Sequence, residues 1–307
     1  MIVRSSAPTR ISLFGGGTDV GEYCRRYGGL VLNMAINIRQ EIILNTTDPT
    51  ISLPKNANIK FYEPFIQESK LPPPGIKQTF DGEITGGIGS SAAAAVALYA
   101  GLHRISGERL KPQDVAEQAW NIEVKKLGMF GGKQDQYAAA FGGVNVFEFP
   151  AFNETPKINP LDEKSMAKVI PHILLFHTGF NRQKANIQDA MLSCNMKHKE
   201  IMDQVKGFVI QGLEDIFHGD VEALGNLLHE SWEAKKASNN VTNKEIDDIY
   251  SRARRLGAWG GKICGSGGGG YMVFIAPLEK KRKLIDQLGI PWVDFEVDYQ
   301  GVSTRIL

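Results

Sequence analysis

The chain has 307 residues, enough for one large domain or two ordinary ones, and 42% of them are hydrophobic, as in a globular protein that buries a sizeable core. A formal net charge of +1 argues against a dedicated nucleic-acid surface or a polybasic membrane surface. Three cysteines (Cys24, Cys194, Cys264), odd in number and far apart, point to a reducing compartment without a disulfide framework.

The opening MIVRSSAPTRISLF has no long apolar core of a secretory signal, and runs such as Tyr271–Ala276 are too short to span a bilayer. A soluble cytoplasmic protein is the expectation, with neither nucleic acid nor membrane as a partner. Six histidines (103, 172, 177, 198, 218 and 229) show no helical zinc spacing, so no protein-held transition metal is expected.

The first 65 residues read as strands: Ile2–Ser6, Arg10–Phe14, Leu30–Ile38 and Gln40–Thr46 are rich in Val, Ile and Leu between Gly and Asp-Pro punctuation. LPPPG (71–75) reads as a rigid loop. Helices are expected at 90–105, at 113–127 after Pro112, and at 134–141, then a strand over GGVNVFEF (142–149). PAFNETPKINP (150–160), with three prolines and no periodicity, marks a domain boundary, giving domains 1–155 and 156–307. Beyond it come a strand at 172–179 and amphipathic helices at 184–217, 220–237 and 243–256. A loop entering a strand (262–276), a helix at 278–289 and a last strand near 292–299 complete the chain. Runs of strands and runs of helices indicate an α+β fold rather than alternating βαβ units.

Three glycine-rich stretches stand out. In ITGGIGSSAAAAVAL (84–98) glycines and serines run into a helix, a shape suited to an anion at orphan backbone N–H groups. The alternative is a plain turn before a helix. The lysine of GxxxxGK[ST] is missing, and GxGxxA (87–92) follows the polar Phe80-Asp-Gly-Glu rather than a clean strand, which disfavours a dinucleotide fold. GSGGGG (265–270) leads into a strand, as a flexible hairpin loop or a close-packing segment would. LFGGGTDVGEY (13–23) reads locally as a turn, or as a ligand contact. In FGGKQDQYAAAFGG (130–143), Asp135 sits near a helix start between Gln134 and Gln136, either as an ordinary first-turn acid or as a positioned base. Glu123 lies twelve residues before it.

In their order, APTRISLFGGGTD, GGIGSSAA, Glu123 with GGKQDQ, and KICGSGGGG resemble the GHMP small-molecule kinases over nearly the whole chain. GGGTDVGEY, NMAIN (33–37), LLHESWEAKK (227–236) and GAWGGKICGSGGGG are most similar to the branch that phosphorylates D-glycero-D-manno-heptose 7-phosphate. Fucokinases share part of the pattern, whereas galactokinases carry Glu-His where this chain has Gly16-Gly17. Thr85 and Ile88 depart from the proline and leucine common in the central motif.

The resemblance implies a two-domain GHMP kinase fold, with a ribosomal protein S5 domain 2-like N-terminal domain and a ferredoxin-like C-terminal domain. ATP phosphates would lie on Gly86, Gly87, Ile88, Gly89, Ser90, Ser91 and Ala92. Ser91 and Glu123 would hold Mg²⁺. Asp135 would act as base, with Arg10 beside it. Gly17, Thr18, Asp19 and Gly267, Gly268 and Gly269 would serve the substrate side, and Lys133, Arg182 or Lys184 would meet a substrate phosphate. The implied reaction is ATP-dependent phosphorylation at C1 of heptose 7-phosphate by a monomer or homodimer. A 1-kinase of a free sugar and a non-catalytic sugar-binding regulator are the alternatives.

Overall fold

The computed structural model describes residues 1–54, 58–83, 86–179, 196–238, 241–265 and 267–307. Arg182, Lys184 and Thr85 lie outside the described residues, as does the start of the helix expected from residue 184.

The expected early strands merge into two long ones, β1 (Ile2–Phe14) and β2 (Gly29–Asn45), paired antiparallel. Pro8, which has no N–H to give, coincides with a register shift at Pro8/Thr9 rather than with a strand end. After α1 (Gly21–Tyr27), β2 changes partner along its length. Gly29–Met34 pairs with β5 (Val144–Phe149), and Gln40–Asn45 pairs with β4 (Gly75–Phe80), whose other neighbour is β3 (Ile51–Ser52). Helices α2 (Glu63–Ser69), α3 (Ser90–Ile105), α4 (Pro112–Trp120) and α5 (Gln134–Phe141) accompany this sheet. Helix α4 runs on as a π-helical turn, Asn121–Lys126. The alanines of α3 bury nearly its whole length against Ala7, Leu44 and Phe147.

The second half contributes β6 (Lys157–Pro160), α6 (Glu163–Ala167), β7 (Ile173–His177), α7 (Met196–His218), α8 (Val221–Ser238) and α9 (Lys244–Leu256). β8 (Gly260–Ile263), β9 (Tyr271–Ile275), α10 (Leu278–Gln287), β10 (Trp292–Val293) and β11 (Ser303–Ile306) follow. The second sheet has the order β10-β7-β9-β8 and is antiparallel throughout. Val221, Leu224, Leu227, Leu228 and Trp232, the apolar face expected of α8, are all buried.

The first sheet draws on both sides of residue 155: β6 pairs with β5, and β11 pairs with β1 through Val3↔Ile306 to Ser6↔Ser303. Arg39 and Asp298, an ion pair largely removed from solvent, fasten the returning tail to β2. No helix among the described residues is long and apolar enough to cross a membrane.

Helix α8 crosses β8 where two glycines meet: a Cβ on Gly260 would lie 1.9 Å from the carbonyl oxygen of Gly225. Gly260→Ala should therefore lower the urea-unfolding free energy by about 2 kcal/mol or more, from forced overpacking. Gly207→Ala, in a helix with open space at the site, should instead raise it by about 0.5–1 kcal/mol.

Candidate active site

Arg10, on β1 and only 4% exposed, is the centre of the site. Its backbone N–H donates to Ile88 O at 2.9 Å and its Nη1 to Gly87 O at 2.6 Å. Its Nε and Nη2 donate to the two Asp135 oxygens at 2.7 and 2.8 Å, a planar fork on a carboxylate. One residue thus joins the glycine loop to the first turn of α5. Asp135 remains partly open to a cleft, and each of its oxygens keeps a second acceptor site.

The cleft holds a cavity of about 340 Å³ walled by Arg10, Gly87, Gly89, Ser91, Glu123 and Asp135, among others. Gly89 stands as N-cap of α3 at φ +71°, a conformation L side chains rarely adopt, and its Cβ position is 3.4 Å from both Arg10 Cγ and Asp135 Cγ. Among the described residues no side chain caps α3, which leaves its first-turn N–H groups available to an anion. Gly86, Gly87, Gly89, Ser90, Ser91 and Ala92 line the cavity. Ile88 does not: its side chain is 0% exposed in the core and only its carbonyl serves, bonding Arg10. Ser90 Oγ faces inward and accepts from Gln40 Nε2 at 2.6 Å.

Glu123 is buried on the π turn, where the widened helix aims it at the cleft. Ser91 Oγ donates to its Oε1 at 2.8 Å and Gln136 Nε2 to its Oε2 at 2.7 Å. Burial pushes its carboxyl up to about 7, against the two hydrogen bonds that favour ionisation. The adjacent Ser91 and Glu123 oxygens are hard donors of the type a magnesium ion takes, and they fit one. Among the described residues no group of three or more His, Cys, Asp and Glu side chains gathers, so further ligands to such an ion would come from water and phosphate.

The expected substrate-side residues divide. Gly17 lines the cavity. Asp19 is buried beside it, and its oxygens accept from Gln134 N (3.0 Å), Gln134 Nε2 (2.9 Å) and Gly17 N (3.3 Å). Burial pushes its carboxyl up. Its evident work is to anchor the turn into α5. Asp19 also borders a second cavity of about 510 Å³, beyond the Met129–Gly131 loop. Thr18, 0% exposed, shares its hydroxyl proton between Gly15 O (2.8 Å) and Leu30 O (3.0 Å), as a turn-former does.

Gly267, Gly268 and Gly269 do not line the cavity. Gly268 N donates to Val241 O at 3.0 Å, and a Cβ on Gly267 would lie 2.5 Å from that same oxygen. The ends of the stretch meet the glycine loop at 86–89 instead: Cβ atoms on Gly265 and Gly270 would lie 2.9 Å from Gly87 Cα and 2.3 Å from Gly86 O. Lys133 donates to both Glu117 oxygens (2.8 and 3.0 Å) and lies 4.7 Å over the Trp120 ring, so its charge is already matched.

Two charged cavity residues escaped the sequence reading. Lys235 donates to Gly265 O at 2.9 Å, and Lys262, buried, donates to Leu13 O at 2.8 Å. The sequence does carry a signal for Lys262, a lone cation among the small and apolar residues of GGKIC.

A cleft with an uncapped helix N-terminus, a forked arginine–aspartate pair and two oxygen donors for a hard cation suits phosphoryl transfer, and the chain matches the GHMP kinases N-terminal domain over residues 57–143 and the GHMP kinases C-terminal domain over 213–294. It belongs to the GHMP kinases. It is 32% identical to the D-glycero-alpha-D-manno-heptose 7-phosphate kinase of Campylobacter jejuni, over 93% of each chain. A structure of a D-glycero-D-manno-heptose 1-phosphate kinase from Bacteroides thetaiotaomicron superposes with a TM-score of 0.79 at 27% identity, covering 99% of each chain. Lactococcus lactis galactokinase shares the fold at a TM-score of 0.73 and 16% identity, covering 100% of this chain and 95% of its own. The two-domain GHMP kinase fold and ATP-dependent sugar kinase activity follow from these relations.

Glu123→Gln tests the electrostatics. A carboxyl raised from 4.5 to about 7 contributes stability that is present below 4.5 and is lost as pH rises through 7. The amide loses none of it. The variant should therefore gain on the wild type across that window, by up to about 3 kcal/mol above pH 7, read from denaturant midpoints at pH 4.5 and 8.

Proposed function

We propose that the chain transfers the γ-phosphoryl group of ATP to the anomeric C1 hydroxyl of D-glycero-D-manno-heptose 7-phosphate, giving the 1,7-bisphosphate. The observation that carries this reading is the Arg10–Asp135 fork facing the cleft beside Gly89. The relatives bearing heptose kinase names supply the sugar.

In this reading Asp135 accepts the C1 hydroxyl proton as the new O–P bond forms. The β–γ bridging O–P bond breaks and ADP leaves with that electron pair. Arg10 holds the carboxylate in place and balances charge that develops on the transferring group. The N–H groups at the start of α3 receive the nucleotide phosphates. A magnesium ion held by Ser91 and Glu123 would neutralise phosphate charge when bound. Alignment and charge compensation do the rest, since phosphoryl transfer needs little covalent help.

The engagement of Lys133 by Glu117 and Trp120 favours weighing a free-sugar 1-kinase beside this reading, because it removes one cation for a distal phosphate. The relatives' names also put the substrate phosphate at C7 in one case and at C1 in the other. Initial rates of ADP release at matched subsaturating concentrations separate the possibilities. Heptose 7-phosphate should exceed free heptose in kcat/KM by at least about 100-fold, equivalent to about 2.7 kcal/mol of transition-state stabilisation. Equal rates, or faster turnover of fucose, galactose or heptose 1-phosphate, would reject it.

The base has its own test. Asp135→Asn keeps the side chain's shape but cannot take the proton, so kcat should fall by about 10²–10⁴-fold with KM for ATP little changed. Near wild-type kcat would remove Asp135 from the role.

A further inference from the structure

Among the described residues Lys262 has no counter-charge. Its side chain is 5% exposed on β8 and reaches the wall of the 340 Å³ cavity. Its Nζ donates to a single neutral acceptor, Leu13 O. None of the ion pairs among the described residues includes it, although lysines are almost never fully buried unless paired. Met or Leu would fill the same place without desolvating an amine.

The surroundings deepen the problem. Lys235 on α8 and Arg10 on β1 face Lys262 with like charge. Cys264, just past the end of β8, is the nearby acidic group, and burial pushes its thiol up, toward the neutral form. Across the cleft, Asp135 is engaged by Arg10, and Glu123 by Ser91 and Gln136. Burial first, and Lys235 next, draw the Lys262 ammonium down to about 7. The bond to Leu13 O is one that a neutral amine also makes.

We propose that Lys262 is a phosphate-binding residue of the cleft that takes up a proton as a phosphate group enters. The inference rests on reading the cleft as a phosphoryl-transfer site. The phosphate belongs either to the nucleotide or to the sugar acceptor, and the two are told apart by which ligand brings the proton in. No bond beyond N–H is made: the proton comes from solvent, and the ammonium formed meets the incoming anion.

The test is calorimetric titration at pH 8 in two buffers of different ionisation enthalpy, with Mg·ATP in the absence of sugar and, separately, with heptose 7-phosphate. At pH 8 Lys262 is mostly neutral in the empty cleft, so binding should take up about 0.5–0.9 proton. Glu123 is mostly ionised there, and a metal ion at it would release protons, the opposite sign. Lys262→Met should abolish the uptake. Lys262→Arg, charged throughout, should bind without it. In the wild type the association constant should fall by up to about tenfold per pH unit above 7, and in the arginine variant it should stay flat.

Uptake with Mg·ATP assigns the nucleotide as the source, and uptake with heptose 7-phosphate assigns the acceptor. No uptake by the wild type with either ligand overturns the proposal, as does unchanged uptake in folded Lys262→Met. Sugar turnover is measured separately. Lys262-dependent uptake with Mg·ATP but no turnover of heptose 7-phosphate would sink the sugar reading and leave this inference standing. Turnover without uptake would do the reverse.

Discussion

The cleft depends on the reach of Arg10. From one position in β1 it bonds the glycine loop twice, through Ile88 O and Gly87 O, and grips both oxygens of Asp135. A lysine there would present a point charge and could not make the fork. The guanidinium is nearly removed from solvent, so its bonds act in a low local dielectric and are stronger than surface pairs. The same setting makes them hard to replace: removing the arginine would leave a cleft carboxylate and a loop carbonyl without a donor. The positions of the glycine loop and of Asp135 are therefore set together.

Around that pair the protein tolerates two groups drawn toward neutrality from opposite directions. Burial raises Glu123 to about 7 and lowers Lys262 to about 7. Glu123 favours the fold at acid pH and loses that contribution as pH rises through 7. Lys262 favours it above its unfolded value of 10.5 and loses that contribution as pH falls through 7. Near pH 7 both sit at the expensive end of their ranges. A hydrophobic substitution at either place would relieve the expense, which is the common relation between a binding cleft and stability.

Much of this was legible in the sequence. Helices 90–105 and 134–141 appear at their expected bounds because a run of alanines with a glycine start, and a helix ended by Gly142, are local signals. The pairing of Arg10 with Asp135 and of Ser91 with Glu123 followed from motif order rather than from any local property. What stayed hidden is long-range. Residues 299–307 carry no hint that β11 closes against β1, since an edge strand is defined by the partner it finds. The π turn that aims Glu123 inward has no sequence period of its own. Thr18 and Asp19 read locally as a turn or a ligand contact, since a polar pair after a glycine turn looks the same whether it faces solvent or backbone, and only the resemblance put them on the substrate side. Here Gly15 O, Leu30 O and Gln134 have taken their hydrogen bonds.

The late glycine stretch shows how a motif can sit near a site without touching its ligand. Its middle residues pack on Val241, while Gly265 and Gly270 press against Gly86 and Gly87 at distances that exclude any Cβ. The glycines here allow two backbones to approach, one from each half of the chain. Arg10 clamps the glycine loop from β1, and the late stretch, which joins β8 to β9, presses on it from the other half of the chain. A loop fixed on both sides would present its N–H groups to an anion with little ordering entropy left to lose. Lys262, on β8 just before that late stretch, reaches the cavity wall from the same piece of backbone. Loop support and the buried cation are thus two consequences of one piece of backbone lying against the glycine loop.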